Sequence, residues 1–182
     1  MYKQFNQIYH FIDEFKETDL SKLDSKISII YRNYKTKIDI TLVKRIRHFC
    51  KKENRKFYLA NNVGLAYKLN LDGAYIPSFN SSTKHIRCNR RLGFSIIGSA
   101  HNIKQIIVKQ KQKAEYIFIS PLFKTKKNKD FLGLYKFLKL KQFSQTKIIP
   151  LGGINKKNIK TLNLLECTGF AAISFIKKIY GK

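Results

Sequence analysis

Two glycines, Gly152 and Gly153, stand between the apolar run 147–151 and Ile154. A turn of this kind at a strand end can cradle a phosphate, because backbone without a Cβ approaches an anion closely and its amides can donate to it. The next apolar run, 169–176, carries Ile173 and Ser174 near its end. Gly152, Gly153, Ile173 and Ser174 could therefore present amides to one phosphate from two successive strands, as after strands seven and eight of a (β/α)8 barrel. Such a site suits a phosphate ester, not a nucleoside triphosphate. His101 follows another apolar run, 94–99, and is the candidate acid/base, since an imidazole titrates near neutrality. Each residue also has a plainer role: the glycines as a tight turn, His101 as a cap on the helix that opens at Asn102. Arg32 could hold a carboxylate or phosphate, or pair with an acidic neighbour. Asp72, before a glycine, reads as a turn residue. His10, His48 and His85 have nothing near them in sequence that suggests metal or proton chemistry.

The elements that must position these groups alternate along the chain. Strands are expected at 8–12, 27–31, 56–60, 73–76, 94–99, 116–120, 147–151 and 170–175, and helices at 38–51, 62–69, 102–113, 134–143 and 155–165. Ile103, Ile106 and Ile107 set the helical spacing of the third, and Asn102 and Asn155 are expected N-caps. Eight strands with mostly helical crossovers predict an α/β fold, a small (β/α)8 TIM barrel. The short acidic connection 14–26 leaves room only for a truncated first helix. A doubly wound open sheet is the other arrangement, but no G-x-G-x-x-G follows the first strand. In a barrel the chemistry sits where strands end. Arg32, Asn61, Asn62, Ser78, Asn80, Ser99, His101, Ser120, Thr125, Gly152, Gly153 and Ser174 occupy such places.

Composition narrows the class. With 182 residues, 43% of them hydrophobic, and no linker-like stretch, the chain reads as one domain over 1–182. No apolar run approaches the roughly 20 residues of a membrane span, and no leader is evident, so a cytoplasmic location is expected. Cys50, Cys88 and Cys167 are odd in number and far apart, which reads as three reduced thiols. The net charge of +26 would suit a nucleic-acid partner. The lysines nevertheless scatter over almost every helix and loop, and no nucleic-acid-binding module accompanies them. A basic nucleic-acid-associated protein, or a barrel that only binds its ligand, is the non-catalytic alternative.

Taken in order, the strand ends resemble the thiamine phosphate synthase/TenI family from about residue 27 to residue 176. Asn61-Asn62-Val-Gly-Leu-Ala is similar to the family's N-D-x-x-x-L-A, and Asp72-Gly73-Ala-Tyr-Ile to its D-G-x-H-L. Ile97-Gly98-Ser99-Ala-His101-Asn corresponds to I-G-x-S-x-H. The most specific piece, Ala114-Glu-Tyr-Ile-Phe-Ile-Ser-Pro-Leu-Phe-Lys-Thr125, resembles A-D-Y-[IV]-x-x-[GS]-P-[VIL]-[FY]-x-T. Leu151-Gly-Gly-Ile154 and Ala172-Ile-Ser174 match its thiazole-phosphate grip.

The resemblance implies one of two reactions on a thiazole phosphate. A synthase joins it to a pyrimidine methyl diphosphate and releases diphosphate with Mg2+; a TenI-like tautomerase moves a proton on a carboxylated thiazole phosphate and needs no cofactor. The synthases' acidic positions after the third and fourth strands are Asn62 and Asn80 here. Mg2+ prefers carboxylates to neutral carbonyls, so no metal ligand is assigned and the tautomerase is the favoured expectation, with the synthase as its alternative. His101 is then the expected catalytic group and Gly152, Gly153, Ile173 and Ser174 the phosphate site. Arg32, Asn61, Asn62, Ser99 and Thr125 are expected in the substrate pocket. The expected partners are the phosphorylated thiazole, a pyrimidine diphosphate for a synthase, and a second copy of the chain in a homo-oligomer.

Overall fold

Short runs rich in Ile, Phe, Tyr and Ala form eight parallel strands in the computed structural model, which describes residues 5–34, 36–87, 91–125, 130–173 and 175–176. They are β1 (Gln7–Ile12), β2 (Ile27–Tyr31), β3 (Phe57–Ala60), β4 (Gly73–Ile76), β5 (Ser95–Ala100), β6 (Tyr116–Ile119), β7 (Lys147–Pro150) and β8 (Gly169–Ala172). Neighbours in sequence are neighbours in the sheet from β1 to β7, and β8 pairs with β1. A parallel bridge between Leu151 and Ala171 brings the ends of β7 and β8 together and completes the barrel. All eight strands lie at or within two residues of the bounds expected from the sequence, save the last, which stops at Ala172.

The strand period of two divides the side chains between two cores. Tyr9, Phe11, Ile30, Tyr58, Tyr75, Ile97, Phe118 and Ile149 point inward and fill the barrel. The Phe118 ring lies 5.1 Å from that of Tyr9 and 5.9 Å from those of Phe11 and Tyr75, so the interior is packed and not a pore. Complete burial of Phe118 contributes about 1.5–3 kcal/mol. Ile27, Ile29, Leu59, Ile96, Ile117 and Phe170 belong to the outer core, with Val43, Ile46, Ala66, Ile106 and Phe137 from the helices.

The α-helices are α1 (Glu17–Leu20), α2 (Ile40–Lys52), α3 (Val63–Lys68), α4 (Ile103–Lys111) and α5 (Gly133–Gln142). The first is the expected truncated one, a single turn. Side-chain caps set three of the starts: Asp39 accepts from the amides of Thr41 and Leu42, Asn62 from Leu65, and Asn102 from Gln105. Two expectations are corrected. The helix expected over 155–165 is a 3-10 segment, Ile159–Leu165, because Asn155 Oδ1 accepts from the amides of Lys157 and Asn158 and closes a turn there instead of capping a helix. In α4, Ile103 and Ile107 are exposed, and the buried stripe is Ile106 with Lys109.

Between β4 and β5 the described residues form only the 3-10 turn Lys84–Arg87. Cys50 and Cys167 are free thiols, buried, and burial pushes the Cys50 thiol up to about 12, which keeps it protonated; Cys88 lies outside the described residues. Among the described residues no helix is long and apolar enough to cross a membrane.

Candidate active site

All eight strands run the same way, so their C-terminal ends share one mouth. The Gly152 and Gly153 turn stands there, after β7, with φ of +95° and +69°. Both values lie in the left-handed region that side chains other than glycine rarely adopt. A Cβ on Gly152 would lie 3.0 Å from Pro121 Cα, and one on Gly153 would run into the Phe123 and Lys124 carbonyls. The loop after β6 therefore lies directly on the glycine turn. Two backbone bonds hold it there, from Leu122 N to the Leu151 carbonyl (2.9 Å) and from Phe123 N to the Gly152 carbonyl (3.1 Å). Among the described residues, the amides of Gly153 and Ile154 donate no backbone hydrogen bond. Both amides are therefore open to another acceptor. Ile173, exposed just after β8, borders a cavity of about 280 Å³ that it shares with Asp13 and Glu14 beside β1, and no residue of the glycine turn lines that cavity. Ser174 lies outside the described residues.

His101 follows β5 directly and is exposed. Its Nδ1 lies 2.5 Å from the carbonyl oxygen of Ser120, the first residue of the loop that covers the glycines. A carbonyl only accepts, so Nδ1 carries a proton, and in the neutral ring Nε2 is the nitrogen with the lone pair. Gln105 Oε1 fixes the backbone by accepting from His101 N at 2.7 Å. The helix cap itself is Asn102, so His101 is not needed for capping. Thr125, half-buried, ends the described part of the same loop. His101, Thr125 and the glycine turn thus belong to one unit.

The other expected pocket residues sit further round the mouth. Ser99 is buried, and its hydroxyl accepts from Tyr75 OH at 2.8 Å inside the barrel, so it supports the floor and does not line an open pocket. Arg32 pairs with Asp13 (Nε to Oδ1 3.2 Å) and lies over the Phe11 ring at 5.2 Å. Its neutralisation by an acidic neighbour is the plainer of the two roles weighed above. Asp72, also as expected of a turn residue, accepts from Phe57 N at 2.9 Å on the opposite face of the barrel.

Asn61, Asn62 and Asn80 border a cavity of about 510 Å³ beside β4, walled by Tyr67, Ile76 and Phe94. Asn62 Oδ1 is taken by the Leu65 amide (2.9 Å), and Asn80 Oδ1 by the Ser82 amide (2.9 Å). Asn80 Nδ2 donates to Asn61 Oδ1 at 2.7 Å. These side chains offer a dication no negative charge, each of their amide oxygens already accepts one hydrogen bond, and among the described residues no group of three His, Cys, Asp or Glu could hold a metal. The residues present do not fit Mg2+.

Sequence reasoning missed Lys109. It is fully buried, and its Nζ donates to the carbonyls of Pro77 (2.7 Å) and Asn80 (2.7 Å) and to Gln112 Oε1 (3.0 Å). The signal was its place three residues after Ile106 on the buried stripe, opposite Gly98. In a chain with so many lysines it reads as one more solvated charge.

The family model described as thiamine monophosphate synthase matches residues 14–176. The chain is 36% identical over 121 residues to a thiamine-phosphate synthase of Prochlorococcus marinus subsp. pastoris, covering 64% of this chain and 34% of that protein. It is 26% identical over 140 residues to one of Bacillus licheniformis, covering 74% and 62% respectively. The matched chain thus spans between about a third and two thirds of these curated relatives. A solved thiamine phosphate pyrophosphorylase of Pyrococcus furiosus superposes with a TM-score of 0.73 at 16% identity, over 97% of this chain and 92% of that one, which shows the shared barrel fold.

Proposed function

The chain belongs to the thiamine monophosphate synthase family, and from that premise we propose that it binds a thiazole phosphate at the Gly152 and Gly153 turn and joins it to a pyrimidine methyl diphosphate. The observation that carries the first half is the loop after β6, which seats on the glycine turn and also anchors His101. The names of the relatives support the second half, and they favour condensation over the tautomerisation that the two asparagines suggested.

In the condensation the thiazole nitrogen attacks the methylene carbon next to the pyrimidine ring. The new C–N bond forms as the C–O bond breaks, and diphosphate leaves with the electron pair. The amides of Gly153 and Ile154 would hold the phosphate tail, and Lys124 and Thr125 of the covering loop would flank it. Mg2+ is the ion the synthase resemblance implies. Asn62 and Asn80, both neutral amides, do not fit it.

The oriented imidazole supports a second reading, a proton transfer on a carboxylated thiazole phosphate. With Nδ1 held by Ser120, Nε2 is the base. One experiment separates the two: thiamine phosphate formation from thiazole phosphate and the pyrimidine diphosphate, alongside the same assay fed with the carboxylated tautomer, for the protein and His101→Ala. Turnover in the first assay, little changed by the substitution, establishes the synthase. Turnover only when a competent synthase is added to the second, dependent on His101, establishes the tautomerase. Silence in both leaves a ligand-binding barrel.

A further inference from the structure

Among the described residues three connections of this barrel lack a full α-helix, those after β1, β4 and β7, and at the first two a buried cation reaches the loop carbonyls. At the N-terminal face Arg55 donates from Nη1 to Asp24 and Ile27 and from Nη2 to Leu20 and Leu23, which holds the one-turn connection between β1 and β2. At the mouth Lys109 reaches from α4 to the connection that follows β4. The first lies far from the site. The second holds the loop that carries Asn80.

We propose that Lys109 is a positioning residue which acts as a built-in cation of the β4 loop in place of a divalent metal ion, keeping Asn80 against Asn61 at the barrel mouth. An ammonium has three donors, and here each has one oxygen, from Pro77, Asn80 and Gln112. Gln112 doubles the grip by donating to the carbonyls of Asn80 (3.0 Å) and Ser82 (2.8 Å). Above that cage Asn80 is fixed through both ends of its amide, to Asn61 and to Ser82. The oxygens around Nζ are neutral, as suits a single positive charge that is covalently supplied. A dication at Asn80 would meet that charge with no carboxylate to screen it. The effect on the pyrimidine diphosphate expected below rests on the synthase reading; the cage itself does not.

The test combines three measurements on the protein and Lys109→Met, whose unbranched apolar chain suits the same groove. Mn2+ binding is followed by electron paramagnetic resonance, with and without inorganic diphosphate; amide exchange is followed at Asn80 and Ser82; and KM is measured for each substrate. The unmodified protein is expected to show no saturable Mn2+ site in the micromolar range. The variant is expected to exchange the Asn80 and Ser82 amides about tenfold faster, with β5 unchanged, as loss of a charged hydrogen-bond donor implies. Its KM for the pyrimidine diphosphate is expected to rise about tenfold and that for thiazole phosphate to stay within about twofold. A saturable Mn2+ site, unchanged exchange, or an equal rise in both KM values overturns the proposal. If the unmodified protein makes no thiamine phosphate, the synthase reading fails and Mn2+ binding and exchange decide this one. If Lys109→Met does not fold, Gln112→Ala, which keeps the ammonium and removes half of the cage, is measured in its place with the same expected direction.

Discussion

Gly98 on β5 lies under the stem of Lys109: a Cβ there would be 2.8 Å from Lys109 Cδ and 2.9 Å from its Cγ. The stem cannot swing aside, because its ammonium is tied to three oxygens at the mouth. Gly98→Ala is therefore expected to destabilise the barrel by about 1–3 kcal/mol through overpacking. In Gly98→Ala with Lys109→Ala the added methyl has room, so the two changes should not be additive. Urea unfolding of the two single variants and the double variant measures this coupling; additive effects would mean that the contact is unimportant.

Gly153 answers to a different constraint. Its φ of +69° and the Phe123 and Lys124 carbonyls both exclude a side chain. Gly153→Ala should cost about 1–3 kcal/mol, push the covering loop off the turn, and weaken thiazole phosphate binding. Calorimetric titration with thiazole phosphate and a thermal melt check both, and a variant with normal affinity would place the phosphate elsewhere.

His101 is exposed and the helix behind it is capped by Asn102, so His101→Ala should leave the melting temperature unchanged. If proton transfer is its task, the rate from the carboxylated thiazole falls by about 10²–10⁴-fold. Condensation from the aromatic thiazole phosphate, which needs no base, should fall by less than about tenfold in the same variant. Equal losses in the two assays would assign His101 to binding.

The barrel was legible because each strand is an apolar run bounded by a polar residue or glycine, and Asn102 lies where its cap is needed. The segment after Asn155 was not, because an Asn before a helix and an Asn in an isolated turn share the same sequence pattern; here the competing amides of Lys157 and Asn158 decide for the turn. Gly152, Gly153 and His101 were legible as strand-end residues. Their union through the loop after β6 was not, since it depends on the Ser120 carbonyl and on a close approach between backbones far apart in sequence. Ser99 was misplaced and Lys109 missed for one reason: strand and helix patterns say which face a residue occupies, whereas the partner it finds, Tyr75 hydroxyl or Pro77 carbonyl, is set by tertiary packing.

The pH dependence of stability offers an independent view of Lys109. Burial lowers its ammonium from the ordinary 10.5 to about 8. The groups facing it are the neutral oxygens of its cage, and His85 stands beyond them with Nε2 at 2.9 Å from the Gln112 carbonyl. Because the folded value lies below the unfolded one, the unfolded chain binds more protons between about pH 8 and pH 10.5, and unfolding becomes harder as pH rises through that window. Below pH 8 both states are protonated and the charge carries its full desolvation cost. Lys109→Met has no such term. The stability difference between the protein and this variant, measured by urea unfolding from pH 7 to pH 10.5, should therefore shift steadily in favour of the unmodified chain. A flat difference would mean that the three oxygens offset burial entirely and the ammonium keeps its ordinary affinity for the proton, while a shift in the opposite direction would mean that they hold the charged form more strongly than water does.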